Sequence, residues 1–270
     1  MDSQNKLPKF RTPPVVEVVH GVQFMPLSMT IAHPGLFYAR VRDRFPTCRT
    51  VPVLPPILLP GAPPMVPGIQ FADPSEVPRA WFIDAEEKML LQLQADRFLL
   101  NWRREPSKSK YPHFESIHAD FQQMYRTFQE FASDEGLGEI KPAACEMSYI
   151  NLIPLKNPDG SPRLIQDVLR SWREDYGAGW TVSADAVNWQ ALYRLSGDNR
   201  SSSARLTATL ANLVGPLGRG LQLDLTVHGV PTAETFEAMV EFHRFAHETI
   251  VRYFGAATTD AAHEEWELLT

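Results

Sequence analysis

The chain has 270 residues, of which 44% are hydrophobic and 21% are charged, and its formal net charge is −6. These values are typical of a globular protein with a sizeable core, built as one large domain or two ordinary ones. The negative charge argues against a general nucleic-acid binder, which needs a positive surface to displace counterions. No apolar run approaches the ~18 residues of a membrane span, and the N-terminus lacks a signal-peptide core. We therefore expect a cytoplasmic protein with no membrane partner.

The elements predicted for the first half follow the order β-α-β-β-β-α. A strand at 15–24 and a helix at 34–45 precede a segment at 51–78 that contains nine prolines. Because proline fixes φ and lacks an N–H donor, this segment cannot join a helix or a central strand, and we predict an extended surface strap. Three strands follow at 80–84, 88–95 and 97–103. A helix then carries an apolar stripe from Phe114 to Phe131.

The second half repeats this order, which predicts a tandem duplication. The stretch PAACEMSYINLIPL at 142–155 matches PPVVEVVHGVQFMPL at 13–27 in its proline, its mid-strand glutamate and its closing Pro-Leu. A helix at 163–172, strands at 187–196, 204–213 and 221–228, and a long helix from Thr235 follow. We therefore divide the chain into a disordered tail (1–12), a first repeat (13–135) that includes the strap (51–78), and a second repeat (136–270).

Two such units predict an α+β fold in which the helices cover one face of a curved antiparallel sheet, by analogy with TATA-binding-protein-like folds. Polar residues alternate with core leucines in two strands and are expected on the face away from the helices. That face is either simply solvated or accessible to a partner. The expected partner-binding residues are Gln92, Gln94, Asp96, Gln222 and Asp224.

Two glutamates and the residues at the end of one predicted strand are expected to have structural roles. Glu17 and Glu146 lie among apolar neighbours, where a lone carboxylate is costly, so we expect both to be buried and paired with a basic side chain or backbone donors. The alternative is that the two glutamates flank a binding site or a cation. Trp102 is expected to be buried at a corner where its strand leaves the sheet. Asn101 and Arg103 would then satisfy carbonyls of the loop at 105–111.

A basic segment supports a different function. Arginines beside Trp102 and lysines in a serine-containing loop suit binding of an anion, a nucleotide or single-stranded nucleic acid, although such lysines are also typical of ordinary solvated loops. The candidate residues are Arg97, Arg103, Arg104, Lys108 and Lys110.

The sequence contains no strong motif of enzyme chemistry. It has no GxSxG, no Walker lysine, and only two isolated cysteines, Cys48 and Cys145. His243 and His247 have the i, i+4 spacing of a helical metal pair, but the glutamate of HExxH and an obvious third ligand are missing. We interpret His243 as a hydrogen-bonded core histidine. No catalytic residue, cofactor or metal ligand is predicted.

Several stretches already quoted carry a family resemblance over nearly the whole chain. PPVVEVVHGVQFMPL, RAWFID, LLQLQADRFLLNWR followed by YPHFE, and EMSYIN resemble a sporadically distributed prokaryotic family of uncharacterised proteins of about this length. Patchy occurrence implies accessory genes. The resemblance therefore implies a non-enzymatic interaction protein in a phage-defence or toxin–antitoxin-like system, with the product of a neighbouring gene as its protein partner. A nucleic-acid or nucleotide binder is the alternative, and a homodimer is compatible with either.

Overall fold

The computed structural model of the protein describes residues 7–57, 77–104, 110–157, 159–174, 177, 179, 187–195, 204–215 and 218–269, with the backbone alone between 204 and 219. These residues form an α+β fold. A nine-stranded antiparallel sheet, curved and not closed into a barrel, is packed against helices, and a two-stranded sheet lies apart from it. None of the helices in the described ranges is long and apolar enough to cross a membrane.

The strands are β1 (Lys9–Phe10), β2 (Val15–Gln23), β3 (Thr47–Val51), β4 (Arg79–Ile83), β5 (Met89–Gln94), β6 (Arg97–Arg103), β7 (Ala144–Pro154), β8 (Asn188–Arg194), β9 (Ala204–Gly215), β10 (Gly218–Gly229) and β11 (Leu268–Leu269). The helices are α1 (His33–Val41), α2 (Phe114–Asp134), α3 (Phe236–Ala257) and α4 (Asp260–Glu265).

The large sheet is arranged around its central pair, β2 and β7. Its order is β3-β4-β5-β6-β2-β7-β10-β9-β8, so β6, β5 and β4 follow outward from β2 while β10, β9 and β8 follow outward from β7. Strand β3 adds an edge to the first half, and the described residues form no counterpart to it beside β8. Chain-order neighbours therefore pair as antiparallel hairpins in both halves.

One face of the sheet is apolar and carries the helices. Strand alternation and register place Phe82, Leu91, Leu100, His20 and Met147 in one row across five strands, and all five are buried. The ring of Phe82 contacts α1, and His20 contacts both α2 and α3. The apolar stripe predicted for the long helices is therefore the surface that covers this face, and the predicted position of the helices on one side holds for α1, α2 and α3.

The predicted helix at 163–172 is wrong. Only Ile165–Asp167 forms a short 3-10 helix, because backbone groups that a longer helix would use bind elsewhere. The amide of Ile165 donates to the Glu174 carboxylate, and that of Arg170 donates to the carbonyl of Ala257 at the end of α3. Tertiary contacts outweigh the helical pattern over so short a segment.

The N-terminal tail differs from its expected disorder, although residues 1–6 lie outside the described part of the chain. Lys9 and Phe10 pair with Leu269 and Leu268 as β1 and β11. The Phe10 ring is buried against Trp266, with ring centres 5.9 Å apart. The packing of Phe10 against Trp266 therefore orders a segment for which the polar sequence predicted disorder.

Trp102 is buried, as expected, but it does not lie where a strand leaves the sheet. It is paired on both sides, with Val18 of β2 and Met89 of β5, and its ring lies 5.4 Å from that of Tyr111. The predicted bonds from Asn101 and Arg103 to loop carbonyls are wrong for the described residues. Both side chains instead donate to the Glu17 carboxylate, at 2.6 and 3.2 Å.

Replacing Trp102 by alanine should lower the free energy of unfolding by about 3–5 kcal/mol, because the change leaves a large cavity in the core. Urea unfolding followed by circular dichroism measures the effect. Leu192→Ala on edge strand β8 is the control, since Leu192 is 52% exposed and should cost less than about 0.5 kcal/mol. Equal stability of the two variants would contradict this placement of Trp102.

Candidate functional site

The face of the sheet away from the helices is polar, but its first half is covered. Gln92 and Gln94, expected to be accessible to a partner, are only 4% and 6% exposed. They do lie on the predicted face, because the register places Gln92 beside Trp81 and Leu99, opposite to the row that contacts the helices. The expectation that Gln92 and Gln94 are accessible to a partner is therefore wrong, because other residues of the chain cover both side chains.

The covering segment is the described beginning of the strap, residues 52–57. The side-chain amide of Gln94 accepts from the Leu54 N–H (2.7 Å) and donates to the Leu54 carbonyl (3.2 Å). The Ile57 N–H donates to Gln23, and Arg97 donates to the Pro55 carbonyl, both at 2.8 Å. The polar face therefore binds the strap through its backbone. Residues 58–76 lie outside the described part of the chain.

Gln92 belongs to a hydrogen-bond network that runs across the strands. Its side-chain oxygen accepts from Arg79 and from the indole of Trp81, at 2.8 and 2.9 Å. Its amide donates to Asn101, which donates in turn to Glu17. These contacts satisfy polar groups that would otherwise be buried at a cost, so this part of the face has a structural role in the chain itself.

The other predicted partner-binding residues differ in position. Asp96 lies in the two-residue turn between β5 and β6, which agrees with its place between the predicted strands, and it accepts from Gln94 at 2.7 Å. Gln222 and Asp224 are half-buried on the polar face of β10, where the Gln222 amide donates to Asp224 at 2.8 Å. Partial burial raises the pKa of the Asp224 carboxyl.

Glu146 lies at the centre of the sheet beside Gly21, its neighbour on β2. A Cβ at position 21 would be 2.5 Å from Cγ of Glu146, so glycine is required for this carboxylate to lie across the strand. Burial alone would raise the pKa of Glu146, but the hydrogen bond from His228 and the charge of Arg97 outweigh it and lower the pKa. Glu17, by comparison, is paired with Arg103. Both glutamates thus have basic partners, as expected.

The basic segment does not form one positive patch. Arg97 is 3% exposed beneath the strap, and Arg103 binds Glu17 at the other end of the same strand, about 20 Å away. Arg104 donates to the Pro13 carbonyl at 2.9 Å. Lys110 is exposed, and Lys108 lies outside the described residues. The described arginines are therefore used within the fold.

A pocket of about 610 Å³ lies on the helix side of the sheet and was not predicted. Residues of β2, β7 and β10 form its floor, and its walls include residues of α3, of the segment around β1 with β11, and of the start of α2. Its apolar lining includes Phe10, Val15, Leu225, Ile250, Val251 and Phe254. The volume and lining are those of small-molecule sites, which bury most of their ligand against apolar side chains.

Three polar side chains meet in this pocket as a hydrogen-bonded chain. The hydroxyl of Tyr149 is 3.1 Å from that of Tyr111 and 2.8 Å from Nδ1 of His247. Burial raises the pKa of Tyr111 to about 12 and that of Tyr149 well above its ordinary value, and it lowers the pKa of His247 to about 4. The Tyr111–Tyr149–His247 chain is therefore uncharged at neutral pH.

Charged side chains of the pocket lining are confined to exposed positions. Glu115 and Arg244 face each other from α2 and α3 at 3.1 Å, and both side chains are at least half exposed. Lys9 and Glu248 are also exposed. The pocket is thus polar and charged at its rim and mainly apolar inside.

A histidine cluster fills the core beside the pocket. The rings of His20, His118 and His243 lie 5.2–5.9 Å apart between the central strands and the two long helices. His243 donates through Nε2 to the Gly21 carbonyl, 3.1 Å away, so it is a hydrogen-bonded core histidine as predicted. In the described residues, no group of three or more metal-ligating side chains is arranged to hold a metal ion.

The sequence contains a pattern that marks two of the polar residues of the pocket. Met147, Tyr149, Asn151 and Ile153 are spaced two residues apart in β7, so Tyr149 and Asn151 lie on the same buried, apolar face as Met147 and Ile153. Buried polar side chains at such positions need partners and often mark a site. Tyr111 and His247 carry no comparable signal, because only the tertiary fold brings them to Tyr149.

Comparisons with known proteins do not add an identity. Neither a scan of protein-family models nor a search of characterised proteins found a match to this chain. The proposed function is therefore based on the geometry of the pocket and of the polar face.

Gln94→Ala should lower the free energy of unfolding by about 1–3 kcal/mol, because it leaves both backbone groups of Leu54 without their partner. Gln222→Ala is the matched control on the second half of the polar face and should change stability by less than about 0.5 kcal/mol. Urea unfolding compares the two. If Gln94→Ala is as stable as Gln222→Ala, the strap contact contributes nothing to the fold.

Stability should fall as the pH decreases from about 6.5 toward 4. Burial lowers the pKa of His118 to about 3 and that of His243 to about 4, and it places the pKa of His20 well below 6.5. Below pH 6.5 these histidines bind protons in the unfolded chain but stay unprotonated in the folded protein. The free energy of unfolding therefore falls by about 1.4 kcal/mol per pH unit for each histidine.

Urea midpoints at pH 7.5 and 5.5 measure this dependence. His118→Met removes one of the titrating groups and should give a shallower decline than the unmodified chain. Equal stability at the two pH values would mean that the histidines are protonated, or reach water, in the folded protein.

Proposed function

We propose that the protein is a non-enzymatic binding protein whose ligand is a small, mainly apolar molecule held in the pocket between α3 and the sheet. The observation that carries this proposal is the pocket itself, with its volume of about 610 Å³, its apolar lining and its three convergent polar side chains. Such a combination is the usual form of a small-molecule site.

Binding is favoured over catalysis by the state of these polar groups. A general acid or base works best with a pKa near the operating pH, whereas Tyr111 titrates near 12 and His247 near 4. In the described part of the pocket no cysteine or serine stands beside a base, so a nucleophile is also missing. The arrangement can position a ligand, but it has no group prepared for proton transfer at neutral pH.

The wider role stays a proposal that comes from the family resemblance. An accessory component of a phage-defence or toxin–antitoxin-like system would couple ligand binding to a protein partner. The half-buried Gln222 and Asp224 remain candidates for partner contact on the polar face. Gln92 and Gln94 are not, because the strap binds Gln94, and Gln92 is buried in contact with Arg79, Trp81 and Asn101.

We also propose that the chain arose by duplication of a β-α-β-β-β-α unit, in a TATA-binding-protein-like arrangement. The equivalent strand order outward from β2 and from β7 supports this origin. Within the described residues, the halves differ at strand β3, at the missing helix at 163–172 and at α4. Whatever its origin, the arrangement puts the pocket and the polar face on opposite sides of the same central strands.

Val251→Trp should abolish binding of the neutral fluorescent dye Nile red, because the indole would occupy the pocket from the α3 wall. Fluorescence titration measures the dye's affinity, and a loss of at least tenfold is expected. Ala256→Trp on the same helix is the matched control, since Ala256 is exposed and does not line the pocket. If the dye does not bind the unmodified protein, or binds both variants equally, the proposed site is wrong.

A further inference from the structure

The inner polar group of the pocket is adaptable because its protons can be ordered in two ways. A tyrosine hydroxyl can donate once and accept twice, and a neutral histidine carries one ring proton. If His247 accepts from Tyr149, then Tyr149 accepts from Tyr111, whose oxygen has a lone pair left to accept from a ligand. If His247 donates instead, the order reverses and the Tyr111 proton becomes free to donate.

The hydroxyl–imidazole chain can adapt to an uncharged donor or acceptor of a ligand, but it cannot balance a charged group. Tyr149 is 6% exposed and Asn151 is 4% exposed, and the Asn151 amide already donates to the Leu223 carbonyl at 3.0 Å. Among the described lining residues, the inner part of the pocket thus offers a hydroxyl–imidazole chain and no charged side chain. A charged ligand group placed there would lose its hydration without gaining a counter-ion.

The charged residues at the rim do not change this balance. Glu115 and Arg244 pair with each other, so a ligand carboxylate would have to displace Glu115 from Arg244 at an exposed position. Such exposed ion pairs are weak and screened, and an exchange of one carboxylate for another yields little. Lys9 and Glu248 are both exposed, so the described lining residues at the rim include two cations and two anions.

We propose that the ligand is an uncharged, largely apolar molecule that bears a hydroxyl or carbonyl group and binds it to the Tyr111–Tyr149–His247 chain. This inference rests on the proposed function, because it specifies what the same pocket accepts. The apolar lining selects the body of the ligand, the aromatic rings of Phe10, Phe254 and the stacked Phe114–His247 pair favour a flat ring system, and the hydroxyl chain selects the polar group.

Three compounds with the same ring system test the inference in competition with Nile red at pH 7.5: naphthalene, 2-naphthol and 2-naphthoate. The first has no polar group, the second is an uncharged hydroxyl compound at this pH, and the third is an anion. We expect 2-naphthol to bind about two- to tenfold more tightly than naphthalene, which is the range for one neutral hydrogen bond. The anion should bind at least tenfold more weakly than 2-naphthol.

Tyr111→Phe removes the hydroxyl at the ligand end of the chain, and Tyr149→Phe interrupts the chain. Tyr111→Phe should bring 2-naphthol to the affinity of naphthalene while leaving naphthalene binding unchanged. Tyr149→Phe keeps the Tyr111 hydroxyl, so 2-naphthol should still bind more tightly than naphthalene in that variant. Tyr193→Phe is the matched control, because this tyrosine is 40% exposed on β8 and does not line the pocket.

The outcomes separate the two proposals. Failure of Nile red to bind, or equal binding to Val251→Trp, overturns the pocket as a ligand site and the inference with it. Tight binding of 2-naphthoate, or a preference for 2-naphthol that survives Tyr111→Phe, overturns the uncharged ligand alone. The expected affinity order, lost in Tyr111→Phe and kept in Tyr149→Phe and Tyr193→Phe, supports the inference.

Discussion

The pairing of β2 with β7 at Gly21 and Glu146 is the contact on which the rest of the structure depends. On the polar face, the missing side chain of Gly21 leaves room for the Glu146 carboxylate, which His228 holds from β10. On the helix face, the carbonyl of the same glycine meets His243 of α3. One backbone position therefore joins the two halves of the sheet and fixes the helix layer above them. Any side chain at position 21 would displace Glu146 from its buried position.

Both functional regions follow from this central pair. The polar face extends from Glu146 toward Arg97 and the strap, and the pocket opens at the other end of the same strands, where Val15 and Asn151 are paired. The two regions lie on opposite faces of the sheet and share β2 and β7. The histidine cluster occupies the space between those strands and the long helices, on the same face as the pocket.

Local patterns in the sequence predicted most of the strands and the two long helices, since alternation and helical periodicity report directly on burial. The strand Arg97–Arg103 and the apolar stripe beginning at Phe114 are examples. Contacts between distant segments were not predictable in this way. Gln94 looks solvent-exposed in its strand, yet its partner Leu54 is 40 residues away. The Tyr149–His247 contact spans 98 residues, so the local pattern could mark Tyr149 as a buried polar residue but could not identify its partner.

The short sheet formed by β1 and β11 has a consequence for how the pocket comes into being. Arg11 and Glu267, which flank this sheet, are 256 residues apart and form an ion pair, while Phe10 and Leu269 line the pocket itself. One wall of the cavity is therefore assembled from segments that can meet only after nearly all of the intervening chain has been made and folded. The loop-closure entropy for such a contact is lost before the contact stabilises anything, so this wall belongs to the late, slow part of folding. A ligand that contacts both Phe10 and Leu269 would stabilise this wall and would favour the folded state over intermediates in which the wall has not formed.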